Sequence, residues 1–184
     1  RAVLAYAVGA GLALAGTAFQ GILRNPLADP FTLGVSTGAA FGACLALALG
    51  LSAPALLPLA DPLPFFGLLG ALAALLAVLA LARSGRELRR ETLVLAGVVT
   101  ATFLSACIAL LKALDESSVS GIVFWIMGSF QGRGWGHVLV YLPYLALGSA
   151  IILAQARELD LLSLGSAQAR LLGLNADRSR LLLL

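Results

Sequence analysis

The residues able to do chemistry in this chain are few, and their spacing builds no reaction centre. Cys44 and Cys107 sit in the middle of different apolar runs with no metal-ligand spacing between them, so both read as small buried helix residues. His137, the only histidine, stands beside Trp135 and Gly136 at the start of another apolar run. Alone it makes no metal site, and it reads as an interfacial residue. Gln20, Thr100, Thr102 and Ser105 are the notable polar side chains inside apolar runs, and no carboxylate falls there. Hydroxyls in such runs ordinarily bond a carbonyl of their own helix. Ion- or proton-coupled transport would call for buried acids or an unwound midplane helix. No phosphate-binding loop, catalytic triad or metal motif appears. If ATP is used, another subunit binds it.

The elements that must position these residues are membrane helices. The chain has 184 residues, is 60% hydrophobic and only 11% charged, against roughly 25% charged in a typical soluble domain. Residues 2–23, 30–60, 62–82, 92–111 and 134–156 contain no Asp, Glu, Lys or Arg. Each run reaches the about 20 residues needed to cross the hydrocarbon core. None shows the polar face of a soluble bundle helix or the short alternation of a barrel strand. Five spans follow: A, about 2–23; B, about 31–51; C, about 64–82; D, about 92–112; and E, about 136–156. Arg1 leads straight into a span and Leu184 falls inside a fresh apolar run, so the chain reads as a segment of a longer protein.

Charge placement orients the spans. Arg24, Arg83, Arg86, Arg89, Arg90, Arg157, Arg170, Arg178 and Arg180 fall on one side; Arg1, Lys112 and Arg133 fall on the other. The positive-inside rule puts the richer side in the cytoplasm. Residues 24–30, 83–91 and 157–180 are then cytoplasmic, and 52–63 and 113–135 face outward. Gly34, Gly38 and Gly42 recur at intervals of four in span B, as do Gly9, Ala13 and Thr17 in span A, which predicts close helix packing on those faces. In the first loop, Pro26 and Pro30 push Asn25 and Asp29 out of helical geometry, ending span A at Arg24. Trp125 and Trp135 suit an aromatic belt, and the glycine-rich segment that holds them, residues 120–136, suits a partial helix lying at or dipping into the outer interface.

The cytoplasmic segment after span E carries an apolar stripe through Leu161, Leu164, Gly165, Gln168, Leu171 and Leu172. Gly173 and Asn175 are helix-ending residues, and Asp177 can cap the next helix. Gly165, Ala169 and Gly173, four apart, predict a flat face suited to docking against a protein partner rather than wedging into lipid.

Three blocks carry a family resemblance: residues 9–39, with G-T-A-F-Q-G-I-L-R-N-P-L-A-D-P-F-T-L-G at their centre; L-V-L-A-G-V (93–98) with F-W-I-M-G-S-F (124–130); and L-G-S-A-Q-A-R-L-L-G-L-N (164–175). In order and separation the chain resembles the FecCD-type (BtuC-like) permeases of bacterial binding-protein-dependent ABC importers, which move iron–siderophores, haem or cobalamin. The resemblance implies an all-α, polytopic membrane helical bundle. Residues 1–184 would form one transmembrane permease domain holding the second to sixth of ten family helices, coupling helices at about 158–175, and the start of the seventh. It implies a multi-pass protein of the bacterial inner membrane. Its partners would be an ABC ATPase subunit holding ATP and Mg, a periplasmic or lipoprotein substrate-binding protein, a second permease copy and membrane lipid, with no nucleic acid. This chain itself would bind no cofactor or metal and would not be an enzyme.

By position, the resemblance assigns ATPase coupling to Leu164, Gly165, Ala169, Leu172, Gly173 and Leu174, and binding-protein docking to Arg1. Pathway-lining or gate roles fall to Gln20, Asn25, Arg90, Gly97, Thr100, Trp125 and Gly128. Spans A and D and the segment 117–128 correspond to pathway elements, and the turn Arg89–Thr92 to the cytoplasmic gate. The arginines at that turn are bulkier than the small hydroxyl residues some members carry. The alternatives are an ion- or proton-coupled secondary transporter, which needs an essential intramembrane acid, and a membrane scaffold whose loop 157–180 binds a partner while no solute moves. The resemblance favours the importer, with siderophore as the expected cargo.

Overall fold

The computed structural model describes residues 1–51, 62–84, 87–88, 90–114 and 119–184. These are almost entirely helical: α1 (Ala2–Leu23), α2 (Val35–Ala48), α3 (Pro62–Ala82), α4 (Arg90–Leu114), α5 (Val119–Met127), α6 (Trp135–Ala154), α7 (Ala156–Leu164), α8 (Ser166–Leu171) and α9 (Ala176–Leu183). A two-residue antiparallel ladder, β1 (Arg83–Ser84) with β2 (Glu87–Leu88), stands between α3 and α4.

Four stretches, Ala2–Leu23, Leu63–Ala82, Arg90–Leu114 and Trp135–Ala154, are long and apolar enough to cross a bilayer. These match spans A, C, D and E. Span B differs: its helix has 14 residues and rises only ~21 Å, short of the ~30 Å core. The uncharged run continues on both sides, but Phe31–Gly34 forms turns, and the helix closes at Gly50. There the Gly50 and Leu51 N–H groups return to the carbonyls of Leu47 and Ala46, which is the Schellman pattern that ends helices. Absence of charge defined the run; backbone turns defined the helix.

The described residues fall into two compact units. The first comprises Arg1–Pro30, Arg83–Thr92 and Arg133–Leu184. In it α1 buries Leu4, Ala7, Ala18 and Ile22, while Gly11 lets Tyr141 and Leu145 of α6 close on the helix, and Gly21 admits Leu159 of α7. The expected packing face at Gly9, Ala13 and Thr17 is instead exposed. Small residues permit close approach without requiring it, and here the bulkier stripe from Leu4 to Ile22 sets the buried side. α1 ends at Arg24, which adopts the left-handed conformation (φ 50°) with its N–H on the Gln20 carbonyl.

The second unit comprises Phe31–Ala82 and Leu93–Gly132. Its centre is a backbone-to-backbone crossing of α2 and α3. A Cβ on Gly38 would strike Ala74 and the Gly70 carbonyl; one on Gly42 would strike the Phe66 carbonyl; one on Gly70 would strike Gly38 and Gly42. Gly38 and Gly42 thus form the packing face expected of span B. Gly34 precedes the helix and lies instead against Gly97 and Ala101 of α4. α5 is more than an interfacial lid: its Ile122 is fully buried in a cluster with Cys44 of α2 and Ile108 of α4. Cys44 and Cys107 are both free thiols.

Candidate functional site

The most site-like construction in the first unit is the segment from α7 to α9. α7 and α8 are two short helices, not one continuous stripe, because Gly165 breaks the chain with φ 118° and ψ 154°. The guanidinium of Arg24 lies over this break, so close that a Cβ on Gly165 would sit 2.9 Å from Arg24 Nη1 and 2.7 Å from Gln168 Oε1. A side chain at 165 would meet both a disfavoured conformation and these groups.

α8 ends in a second Schellman turn, the N–H groups of Gly173 and Leu174 returning to the carbonyls of Arg170 and Ala169, with Gly173 at φ 85°. Asn175 then opens α9, its Oδ1 accepting the Arg178 N–H at 3.1 Å. Asn175 therefore starts the next helix instead of ending the last, and takes the capping role expected of Asp177. Asp177 meets arginines: its Oδ2 lies 3.4 Å from Arg170 Nη2 and its Oδ1 3.9 Å from Arg180 Nη1.

Exposure divides the six coupling candidates. Leu164 and Leu172 are 53% and 61% exposed, Gly173 is exposed and Leu174 half-buried. Ala169 is fully buried and so is Gly165. Gly165 and Ala169 therefore turn inward while Gly173 stays exposed, so the three do not share the one flat docking face expected of them. Gly165 and Ala169 keep helical register, the Ala169 N–H donating to the Gly165 carbonyl, and the end turn of α8, with Gly173 at φ 85°, takes the third small residue off their face. The outward surface is made by leucines, and Leu171, at 87% exposed, is its most prominent member. Leu171 stood on the apolar stripe, which was the signal that pointed to it.

The pathway and gate candidates are divided between the two units. Gln20 is exposed at the end of α1, where its carbonyl closes the helix. The Asn25 side chain is taken up by its own turn, Oδ1 accepting the Leu27 N–H at 3.0 Å. Arg90 pairs with its neighbour Glu91 at 2.8 Å. Arg89 and Ser117 lie outside the described residues. In the second unit, Gly97 is a close-packing point, its Cα face pressed on Thr32 and Leu33. One turn on, Thr100 is 7% exposed, and its hydroxyl has no hydrogen-bond partner among the described residues. Thr102 does bond its own helix, donating to the Val98 carbonyl at 2.8 Å. Thr100 borders an apolar cavity of about 550 Å³ with Phe41, Gly42, Phe66, Gly70 and Phe103. Trp125 lies against Gly67 of α3, and Gly128 ends α5 at φ 69°.

At the opposite end of α1, Arg1 is exposed and borders a hollow of about 250 Å³ with Gly134, Trp135 and Val138. His137 lies in the first turn of α6, with its Nε2 3.0 Å from Arg133 Nη1 and its Nδ1 accepting the Gly134 N–H at 3.3 Å. Among the described residues, no group of three or more His, Cys, Asp or Glu is placed to hold a metal ion. Among the described residues, each unit supplies contact surfaces and turns.

Known proteins resemble this chain along its length. The chain is 43% identical over 185 residues to the ABC transporter permease protein YvrB of Bacillus subtilis (strain 168), covering 100% of this chain and 52% of that protein. It is 39% identical to the cobalamin import system permease protein BtuC of Halobacterium salinarum, covering 100% of this chain and 48% of that protein. Against the hemin transport system permease protein HmuU of Yersinia pestis it is 38% identical, covering 100% and 55%. A solved metal-chelate type ABC transporter in an inward-facing conformation superposes with a TM-score of 0.81 at 35% identity, covering 96% of this chain and 55% of that one. The chain thus spans about half the length of the curated relatives it matches. The model of the FecCD transport family matches residues 1–184, and the chain belongs to that family.

Proposed function

We propose that this chain is part of the transmembrane permease of a binding-protein-dependent ABC importer in the bacterial inner membrane, and that it passes an iron chelate, a siderophore complex foremost. The observation that carries the reading is the α7–Gly165–α8 pair, which presents Leu164, Leu171 and Leu172 outward in a chain of the FecCD family. An exposed leucine triplet beside arginines suits a groove on a partner ATPase, an apolar helix face being the usual anchor in such docking. Alternating access then needs only an equilibrium between conformations, biased by nucleotide on one side and binding protein on the other. Arg1, beside its hollow, supplies a cation for an acidic lobe of the binding protein. Relatives named for cobalamin and for hemin carry different large cargoes, so cargo choice belongs to the binding protein and the pathway together.

The test is uptake into proteoliposomes holding the full-length permease with its ATPase and binding protein. Ferric siderophore should accumulate only with ATP inside the ATPase compartment, and faster than hemin or cobalamin. Uptake driven by a proton or sodium gradient without the ATPase would instead establish a secondary transporter.

A further inference from the structure

α8 is fastened to α9 at both of its ends. At its start, the Ser166 hydroxyl accepts a hydrogen bond from Arg180 Nη2 at 2.8 Å. At its end, Arg170 Nη2 stands 3.4 Å from Asp177 Oδ2. Asp177 and Arg180 are themselves one helical turn apart, with Nη1 to Oδ1 at 3.9 Å. Arg180 is 4% exposed, whereas Arg170 keeps nearly half of its side-chain surface. Burial holds the Arg180 guanidinium below its ordinary value, with Asp177 acting in the opposite sense, and the charges of Arg90 and Glu91 at the start of α4 also act on it. A guanidinium is not withdrawn from water cheaply, and its planar fork fixes direction as well as charge. On the other side of the break, Arg24 covers Gly165. The hinge is thus gripped by one arginine from α1 and one from α9.

We infer that Arg180 is the positioning residue that makes α8 and α9 move together, so that a displacement of the coupling segment reaches α9 instead of being absorbed at Gly165. This rests on the coupling reading above. Without the Arg180–Ser166 tie, α8 keeps only the exposed Arg170–Asp177 contact at its far end, and a push on Leu171 would pivot its Ser166 end about Gly165.

The experiment uses the full-length permease in proteoliposomes with its ATPase and binding protein, scored as cargo molecules imported per ATP hydrolysed. Arg180→Gln should lower this ratio about tenfold, and Arg180→Lys should restore part of it. Ser166→Ala should lower it by a smaller factor and add nothing in the Arg180→Gln background. A second readout does not depend on transport: spin labels at Ala167 and Leu181, with Cys44 and Cys107 replaced by serine, report the α8–α9 distance. Arg180→Gln should broaden that distribution at least twofold, and Arg180→Lys should not. A narrow distribution in Arg180→Gln overturns the tie. An unchanged import ratio, or effects of Ser166→Ala and Arg180→Gln that multiply, overturns the transmission role. Should Arg180→Gln not assemble, Ser166→Ala decides alone, an unchanged ratio and distance sinking the proposal. Failure of the parent protein to import with ATP is a separate result, and it removes the coupling reading itself.

Discussion

Single side chains on α8 separate contact with a partner from the packing that holds the helix. Leu171 is 87% exposed and Ala169 is fully buried, although they are two residues apart. Leu171→Asp should change stability by less than about 0.5 kcal/mol while cutting ATP-driven uptake at least tenfold. Ala169→Asp should destabilise by about 3–5 kcal/mol through an uncompensated buried charge, seen as a lower thermal midpoint and poor yield. If Ala169→Asp folds normally and loses only uptake, the inward placement of that residue is wrong. Gly173→Val forces a branched side chain into the left-handed region, at about 1–2 kcal/mol. It should loosen the α8 end turn, read as faster amide exchange at Gly173 and Leu174. The spacing that suggested a docking face here was real in the sequence. What the residues alone could not convey was the turn that ends α8 at Leu171, which leaves Gly173 off the face shared by Gly165 and Ala169.

Whole helices follow from hydropathy where caps and runs coincide. α1, α3 and α6 begin and end within about two residues of the charge-free runs, since each is bounded by an arginine, a proline or a glycine-rich turn, whereas α4 carries its helix three residues past its run, through Lys112 to Leu114. α2 is shorter than its uncharged run, because its limits are set by hydrogen-bonded turns inside that stretch. The α2–α3 crossing was legible from one side only: Gly38 and Gly42 were evident, but their partner Gly70 sits in a leucine- and alanine-rich helix with no four-residue glycine repeat. Replacing Gly70 by leucine drives a side chain into the backbone of Gly38 and Gly42. Overpacking usually costs about 1–3 kcal/mol, and backbone yields less than side chains. The thermal midpoint in detergent should fall accordingly; an unchanged midpoint would contradict the crossing. In the pathway elements, Gly97 packs on Thr32 and Leu33 and Asn25 bonds its own turn. A polar or small residue in a membrane helix carries the same letters whether it faces cargo or a neighbouring helix.

For the molecule as a whole, the apolar surface sets the conditions in which it exists. Only 6% of the apolar window of α6 is buried within the chain, against 28% for α4. The outer surface of α6 therefore needs lipid or further protein. The protein should stay with membranes through an alkaline carbonate wash and leave them only with detergent; release by carbonate alone would rule out a spanning arrangement. The crossing of α2 on α3 has one more consequence. Where two backbones touch directly, there are no rotamers between them to re-sort, so the contact cannot creep by small side-chain adjustments. The α2–α3 hairpin is for that reason a stator. Its amides should be the last in the second unit to exchange with heavy water, and any shape change within that unit has to be borne by α4 and α5 turning against it.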